Sequence, residues 1–152
     1  GMDLLGRKVA GDGGETLAAF VAAMRGTVSE AMAIEALKPE AGRLSAGLDA
    51  LEATTRALLE CADPARRLAN ATIYLDAFGH IVIAWMWLRQ ALVAAHALDA
   101  GGLPEAERVF YDGKLAANRY FSRYELPLGL ARLDLCRALD ATCLDAPADI
   151  FG

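Results

Sequence analysis

The chain has 152 residues, is 55% hydrophobic and 23% charged, and carries a net charge of −5. That length predicts one domain able to bury a real core. The excess of acid argues against a nucleic-acid partner and gives no pull toward anionic membranes. An abundance of Ala and Leu with few β-branched runs predicts packed helices, not a sheet or a disordered tail.

Residues 1–14 read as a short entry segment, glycine-rich at its end. Helix one is expected from about residue 15, with Leu17, Phe20, Val21, Met24, Val28 and Ala31 at helical spacing. Gly26 weakens its middle by up to about 1 kcal/mol relative to Ala. Lys38-Pro39 ends it, because the proline pushes Lys38 out of the α region, and Pro39 suits the first position of the next helix. Helix two, to about Cys61, carries a stripe of Leu44, Leu48, Leu51, Thr55, Leu58 and Leu59. Glu52, Arg56 and Glu60 lie four apart outside it and are expected to add a few tenths of a kcal/mol each.

Asp63 and Pro64 restart the chain as N-cap and first helical residue. Helix three follows directly and contains the stretch around which the sequence is organised, 70–98. Between Asp76 and Arg89 it has no Asp, Glu, Lys or Arg. Ile81, Trp85, Leu88 and Leu92 form one stripe, while Ile83, Trp87 and Ala94 form another. A helix apolar all round is buried on more than one side. The uncharged part is expected to be too short for a membrane span, which takes about 20 apolar residues. The second surface therefore predicts a cover, either another domain or a second copy of the chain. Phe78, Trp85 and Trp87 are the interface candidates.

Helix three is expected to stop at 99–102, where glycine can take a left-handed cap. Pro104, Glu105 and Glu107 open helix four, which places Phe110, Ala117, Phe121, Tyr124 and Leu128 on one side. Pro127 is expected to kink or break it. Apolar spacing resumes at Leu130, Leu133, Leu135 and Leu139, and order is expected to end near Ala146-Pro147. Four long helices with short links predict an all-α, antiparallel up-down four-helix bundle over 15–146, with a long central third helix, a proline-kinked fourth and a tail at 147–152.

Little catalytic chemistry is visible. Neither His80 nor His96 follows a Glu by three residues, so the di-metal pattern of helical bundles is missing. Asp76 and His80 are four apart and read as an ordinary helix-surface pair. Met86, a conceivable haem ligand with either histidine, reads as core filling. Tyr74 and Phe78 also read as core. Arg108, Arg119 and Arg123 share one side of helix four and read as a solvated face. Cys61, Cys136 and Cys143 are too few and too scattered for a disulfide framework and predict reduced thiols in the cytoplasm. No leader segment is evident. The residues thus predict no catalytic, cofactor-binding or metal-binding position. The alternative is a free-standing bundle that binds a small apolar ligand or haem between its helices, near Phe78, Trp85 and Trp87, or that acts as a dimeric interaction module.

One resemblance sharpens this. The run Met2-Asp3-Leu4-Leu5-Gly6-Arg7-Lys8, the Trp-rich stretch 70–98, and Phe110-Tyr111 with Lys114-Leu115, Tyr120 and Leu126-Pro127 occur in the order seen in one family. The chain resembles the extra C-terminal helical domain of a branch of the acyl-CoA dehydrogenases. In that family the opening run follows a Tyr-Glu-Gly-Thr-Asn-Gly-Ile-Gln-type segment whose Glu is the catalytic base. The resemblance implies a parent that uses FAD to dehydrogenate an acyl-CoA thioester in fatty-acid metabolism. It implies that base and flavin sites lie ahead of residue 1, so no position here inherits either role. It further implies an excised or orphan terminal domain, inactive by itself, that packs on the parent's catalytic domains or across a dimer boundary.

Overall fold

A computed structural model describes residues 1–9, 11 and 14–151. Among these the chain is helical and contains no strand. Its α-helices are α1 (Glu15–Met32), α2 (Lys38–Glu60), α3 (Pro64–Leu68), α4 (Ala71–Ala100), α5 (Glu105–Tyr120), α6 (Leu126–Arg137) and α7 (Thr142–Asp145). Wider π-helical turns occupy Asp3–Val9 and Phe121–Glu125, and 3-10 turns occupy Glu35–Leu37 and Ala148–Phe151.

The first two long helices form where the apolar spacing places them. Leu17, Val21, Met24, Val28 and Ala31 of α1 are buried. So are Leu44, Leu48, Leu51 and Leu58 of α2, each no more than 2% exposed. The end of α1 differs from expectation: it stops at Met32, before Lys38-Pro39. Ile34 is extended, and a 3-10 turn then drops Leu37 into the core at 2% exposure. Glu52 also departs from its expected ladder with Arg56 and Glu60. It pairs across to Arg25 of α1, whose guanidinium also holds Asp49 at 2.7 Å.

Asp63 caps α3 as its position suggests, and its carboxylate accepts from the Ala65 N–H at 2.9 Å. The expected single helix from Pro64 onward is broken, however. Asn70 leaves helical geometry and its Nδ2 donates to the Asp140 carbonyl at 2.7 Å. A tertiary bond to a distant residue wins over local helix continuation. Beyond it α4 runs 30 residues to Gly101 and Gly102, whose φ values of 70° and 72° suit glycine.

The other helices are arranged around α4. On one side Phe20 of α1 meets Phe78 and Trp85, and Thr27 meets Trp85. On the opposite side Lys114 reaches Gln90, Phe121 lies by His80, and Arg132 pairs with Asp76 at 2.5 Å. Behind, Thr55 of α2 bonds Tyr74. Tyr74, Ala77, Ile81, Leu88 and Ala91 are no more than 1% exposed as a result. Two glycines allow α6 to approach closely. A Cβ on Gly129 would lie 2.7 Å from His80 Cβ, and one on Gly47 would lie 3.3 Å from Leu130 Cδ2.

The uncharged part of α4 is short, but the helix as a whole is long and apolar enough to cross a membrane by length and composition. Its all-round apolarity nevertheless has a local use, since α1, α2, α5 and α6 all pack on it.

Candidate docking face

Among the described residues, one side of α4 has little cover. Leu75 is 41% exposed, Ile83 48%, Met86 43% and Val93 64%. At about 100° per residue these four fall on one stripe about 27 Å long. Met86 is therefore not core filling. The covered faces of α4 take its small and regularly spaced residues, and Met86 falls between them. The strip is interrupted by Gln90, which bonds Lys114, and its exposed apolar residues make this face the candidate contact site.

The three residues singled out from the sequence flank this stripe. Trp85 and Phe78 lean toward α1. The Trp85 indole N–H donates to Thr27 Oγ1 at 2.8 Å, and its ring meets Phe20 edge-on at 5.4 Å. Phe78 lies 6.0 Å from the Phe20 ring. Trp87 leans the other way, under α5, where the Lys114 ammonium sits 5.5 Å from its centroid. The two tryptophans point to opposite sides as their spacing requires. All three are half-buried, so they form the shoulders of the stripe and not its crest. Leu75, Met86 and Val93 were missed. Their signal was the helical recurrence of positions 75, 79, 83, 86 and 93, hidden in a helix whose other faces are equally apolar.

A cation stands at one shoulder. Lys114 Nζ donates to Gln90 Oε1 at 2.9 Å and lies 5.2 Å over Phe110, itself 59% exposed. Arg89 similarly lies 5.2 Å over Trp85 on the other shoulder. Both contacts keep a charge beside aromatic carbon at modest gain. The residues that spacing groups on one side of helix four do not share one environment: Phe110, Tyr124 and Leu128 are 59–65% exposed, Ala117 and Phe121 are half-buried, and Asn118 and Ser122 are buried. α5 touches α4 along a line one position away from its largest side chains. The π turn at Phe121–Glu125 then carries one more residue per turn than an α-helix and shifts the face again.

Several polar groups inside the fold are engaged locally. His80 Nδ1 is 2.8 Å from the Asp76 carbonyl oxygen, so Nδ1 carries the proton and donates. The Asp76 carboxylate is 3.9 Å from the ring and is occupied by Arg132. Burial pushes the Cys136 thiol up to about 11, which leaves it protonated and unreactive at neutral pH. Burial likewise pushes Tyr74 up to about 12. Among the described residues no three His, Cys, Asp or Glu side chains gather as a metal site would need. α1, α2 and α5 each carry a glutamate in the first turn (Glu15, Glu40 and Glu105), which disfavours an anion at those three ends.

Fold and burial together define an all-helical domain built around one long central helix, with an apolar side of that helix uncovered. The chain belongs to the acyl-CoA dehydrogenase C-terminal domain family: a family model described as "Acetyl-CoA dehydrogenase C-terminal like" matches residues 16–147. A stretch of 78 residues, 51% of this chain, is 36% identical to the broad-specificity linear acyl-CoA dehydrogenase FadE5 of Mycobacterium tuberculosis. That stretch amounts to 13% of the relative's length.

Proposed function

We propose that residues 15–146 form an assembly domain of an FAD-dependent, cytoplasmic acyl-CoA dehydrogenase and have no catalytic role of their own. The observation that carries this reading is the exposed stripe of Leu75, Ile83, Met86 and Val93 on α4. An apolar face of that length is the complement of another protein surface, and family membership supplies the partner class: the catalytic domains of the same enzyme, or a second subunit. The parent reaction is the α,β-dehydrogenation of an acyl-CoA thioester, with base and flavin contributed by those other domains. In this reading the four long rods form an up-down bundle. The order of contacts supports it: from Gln90 back to Asn70, α4 meets Lys114, Phe121, Arg132 and then Asp140. Pro127, just after the π turn, bends the fourth rod, and α4 stays in the bundle and spans no membrane.

The purified chain, given FAD and straight-chain acyl-CoAs of increasing length, is expected to retain no flavin and to turn over none of them. A stoichiometric yellow complex after gel filtration would sink the proposal. A second reading has one observation in its favour, an open groove at the far end of α4 walled by Ile34, Ala95, Leu98 and Leu115, with His96 and Asp99 at its edge. If the chain binds free acyl groups there, long-chain fatty acids at low micromolar levels will shift its tryptophan emission saturably.

A further inference from the structure

The outer side of α5, turned away from α4, carries a second exposed ridge. Val109, Tyr120 and Tyr124 are 55–65% exposed, and Gly113 and Ala116 are exposed between them. At helical spacing these residues form one line with a gap at the two small positions. A Cβ added at Gly113 would meet nothing within 4 Å, so the gap is open. The two tyrosines are held in place. Their rings stack at 5.2 Å, and the Tyr120 hydroxyl donates to Glu125 Oε1 at 2.9 Å. Beside this line runs a row of exposed charges, Arg108, Asp112, Arg119 and Arg123. Arg108 is neutralised by Glu105. Asp112, Arg119 and Arg123 have no ion-pair partner among the described residues.

The ridge is complementary to itself. A two-fold axis across two antiparallel copies of α5 makes every contact occur twice and keeps each row of residues on its own side. With the axis at Ala116, Tyr120 of one copy lies over Gly113 of the other, and Tyr124 meets Val109. A large ring then fills each gap that a small residue leaves. In the charged row Asp112 faces Arg119 of the other copy, at both ends of the contact. The residue opposite Arg123 is Arg108, whose charge Glu105 already balances. A parallel alignment brings like residues to one level and leaves both gaps and charges unmatched. A purely acidic partner would suit Arg119 and Arg123 but would repel Asp112. The antiparallel copy is the occupant that matches both signs and the shape.

We propose that the outer face of α5 is an antiparallel contact between two copies of this chain, separate from the α4 docking face. The 16 residues of α5 span about 24 Å. One helix face of that length covers far less than the roughly 800 Å² that each partner gives to a stable complex. The contact is therefore weak by itself, too weak to hold a dimer during sedimentation. It sets the orientation of two copies that the rest of an enzyme brings together, and in that role it rests on the assembly reading above. The pairing as such does not, since none of its residues lies on α4.

Disulfide trapping tests this on the full chain carrying Ile83→Lys and Met86→Lys, so that the α4 face takes no part. Cys61→Ser and Cys143→Ser remove the accessible thiols, and the buried Cys136 stays. Ala116→Cys places a thiol beside the axis in each copy. Ala106→Cys, also exposed on α5, places one away from it. Under oxidised glutathione the Ala116→Cys chain should form a covalent dimer about tenfold faster than the Ala106→Cys chain. Adding Arg119→Asp or Asp112→Arg alone should remove most of that advantage. Adding both together should restore it, because the pair re-forms with its signs exchanged. Equal rates at the two thiols would overturn the proposal. So would single reversals without effect, or a double reversal that stays as slow as either single one. Association through α4 is read from the sedimentation of the natural chain, so the two readings fail on different measurements.

Discussion

The link between α2 and α4 through Thr55 and Tyr74 allows a prediction whose asymmetry comes from proton counting. Tyr74 is fully buried and its hydroxyl lies 2.6 Å from Thr55 Oγ1, which in turn lies 2.8 Å from the Leu51 carbonyl oxygen. A carbonyl cannot donate, so the single Thr55 proton goes to Leu51 and Tyr74 must donate to Thr55. Removing the tyrosine hydroxyl in Tyr74→Phe leaves no buried donor stranded, because Thr55 keeps its bond to Leu51. The loss is that of one net hydrogen bond, about 1 kcal/mol. Thr55→Val preserves shape but strands the Tyr74 O–H where no solvent reaches it, at a cost of about 1–3 kcal/mol. In the double variant the stranded donor is gone, so it should be less destabilised than the sum of the two and close to Thr55→Val alone or better. Urea unfolding followed by circular dichroism, at constant m-value, measures all three. If Tyr74→Phe costs as much as Thr55→Val and the two add within about 0.3 kcal/mol, the assigned donor direction is wrong.

Alkaline stability follows from the two raised pKa values. The folded chain holds protons on Cys136 up to about 11 and on Tyr74 up to about 12, against ordinary values of 9.0 and 10.0. The unfolded chain releases them earlier, so stability is fully present below pH 9 and falls as pH rises from there toward 12. A titrated unfolding series should show this fall, and Tyr74→Phe should flatten its upper part; a flat profile from pH 9 to 12 in the parent chain would contradict the burial argument. Glycine positions give a contrasting pair. Gly129→Ala places a Cβ 2.7 Å from His80 and should destabilise by about 1–3 kcal/mol despite the better helix propensity. Gly26→Ala meets nothing within 4 Å and should stabilise by about 0.5–1 kcal/mol. Thermal melts of the two variants should move in opposite directions.

The parts of the fold legible in the sequence are those decided locally. Leu44, Leu48, Leu51 and Leu58 recur every three to four residues, and α2 buries all of them. Asp63-Pro64 announces a helix start within three residues, and the cap bond is present. The all-round apolarity of α4 was visible too, and it correctly indicated packing on several sides. The illegible parts depend on residues far away. Asn70 breaks the third helix because of Asp140, and nothing near Asn70 signals that. Which side of α5 faces inward depends on how α4 lies against it: spacing groups Phe110 with Phe121 and Tyr124, yet Phe110 and Tyr124 stand outside while Phe121 packs on the core. The same holds for the docking face. Trp85 and Trp87 are the conspicuous residues of α4, but α1 and α5 already shield them, and the less conspicuous Leu75, Ile83, Met86 and Val93 are left open.

That open stripe is the point on which the functional account depends. With no partner present, it should cover itself. Sedimentation velocity on the chain, over about a hundredfold range of concentration, tests this against the 16.1 kDa protomer. The account predicts reversible, concentration-dependent association of the natural chain. It predicts a monomer for the doubly substituted Ile83→Lys, Met86→Lys chain, with helix content unchanged because both side chains are already exposed. A natural chain and a substituted chain that are both monomeric throughout, with identical sedimentation, would contradict it.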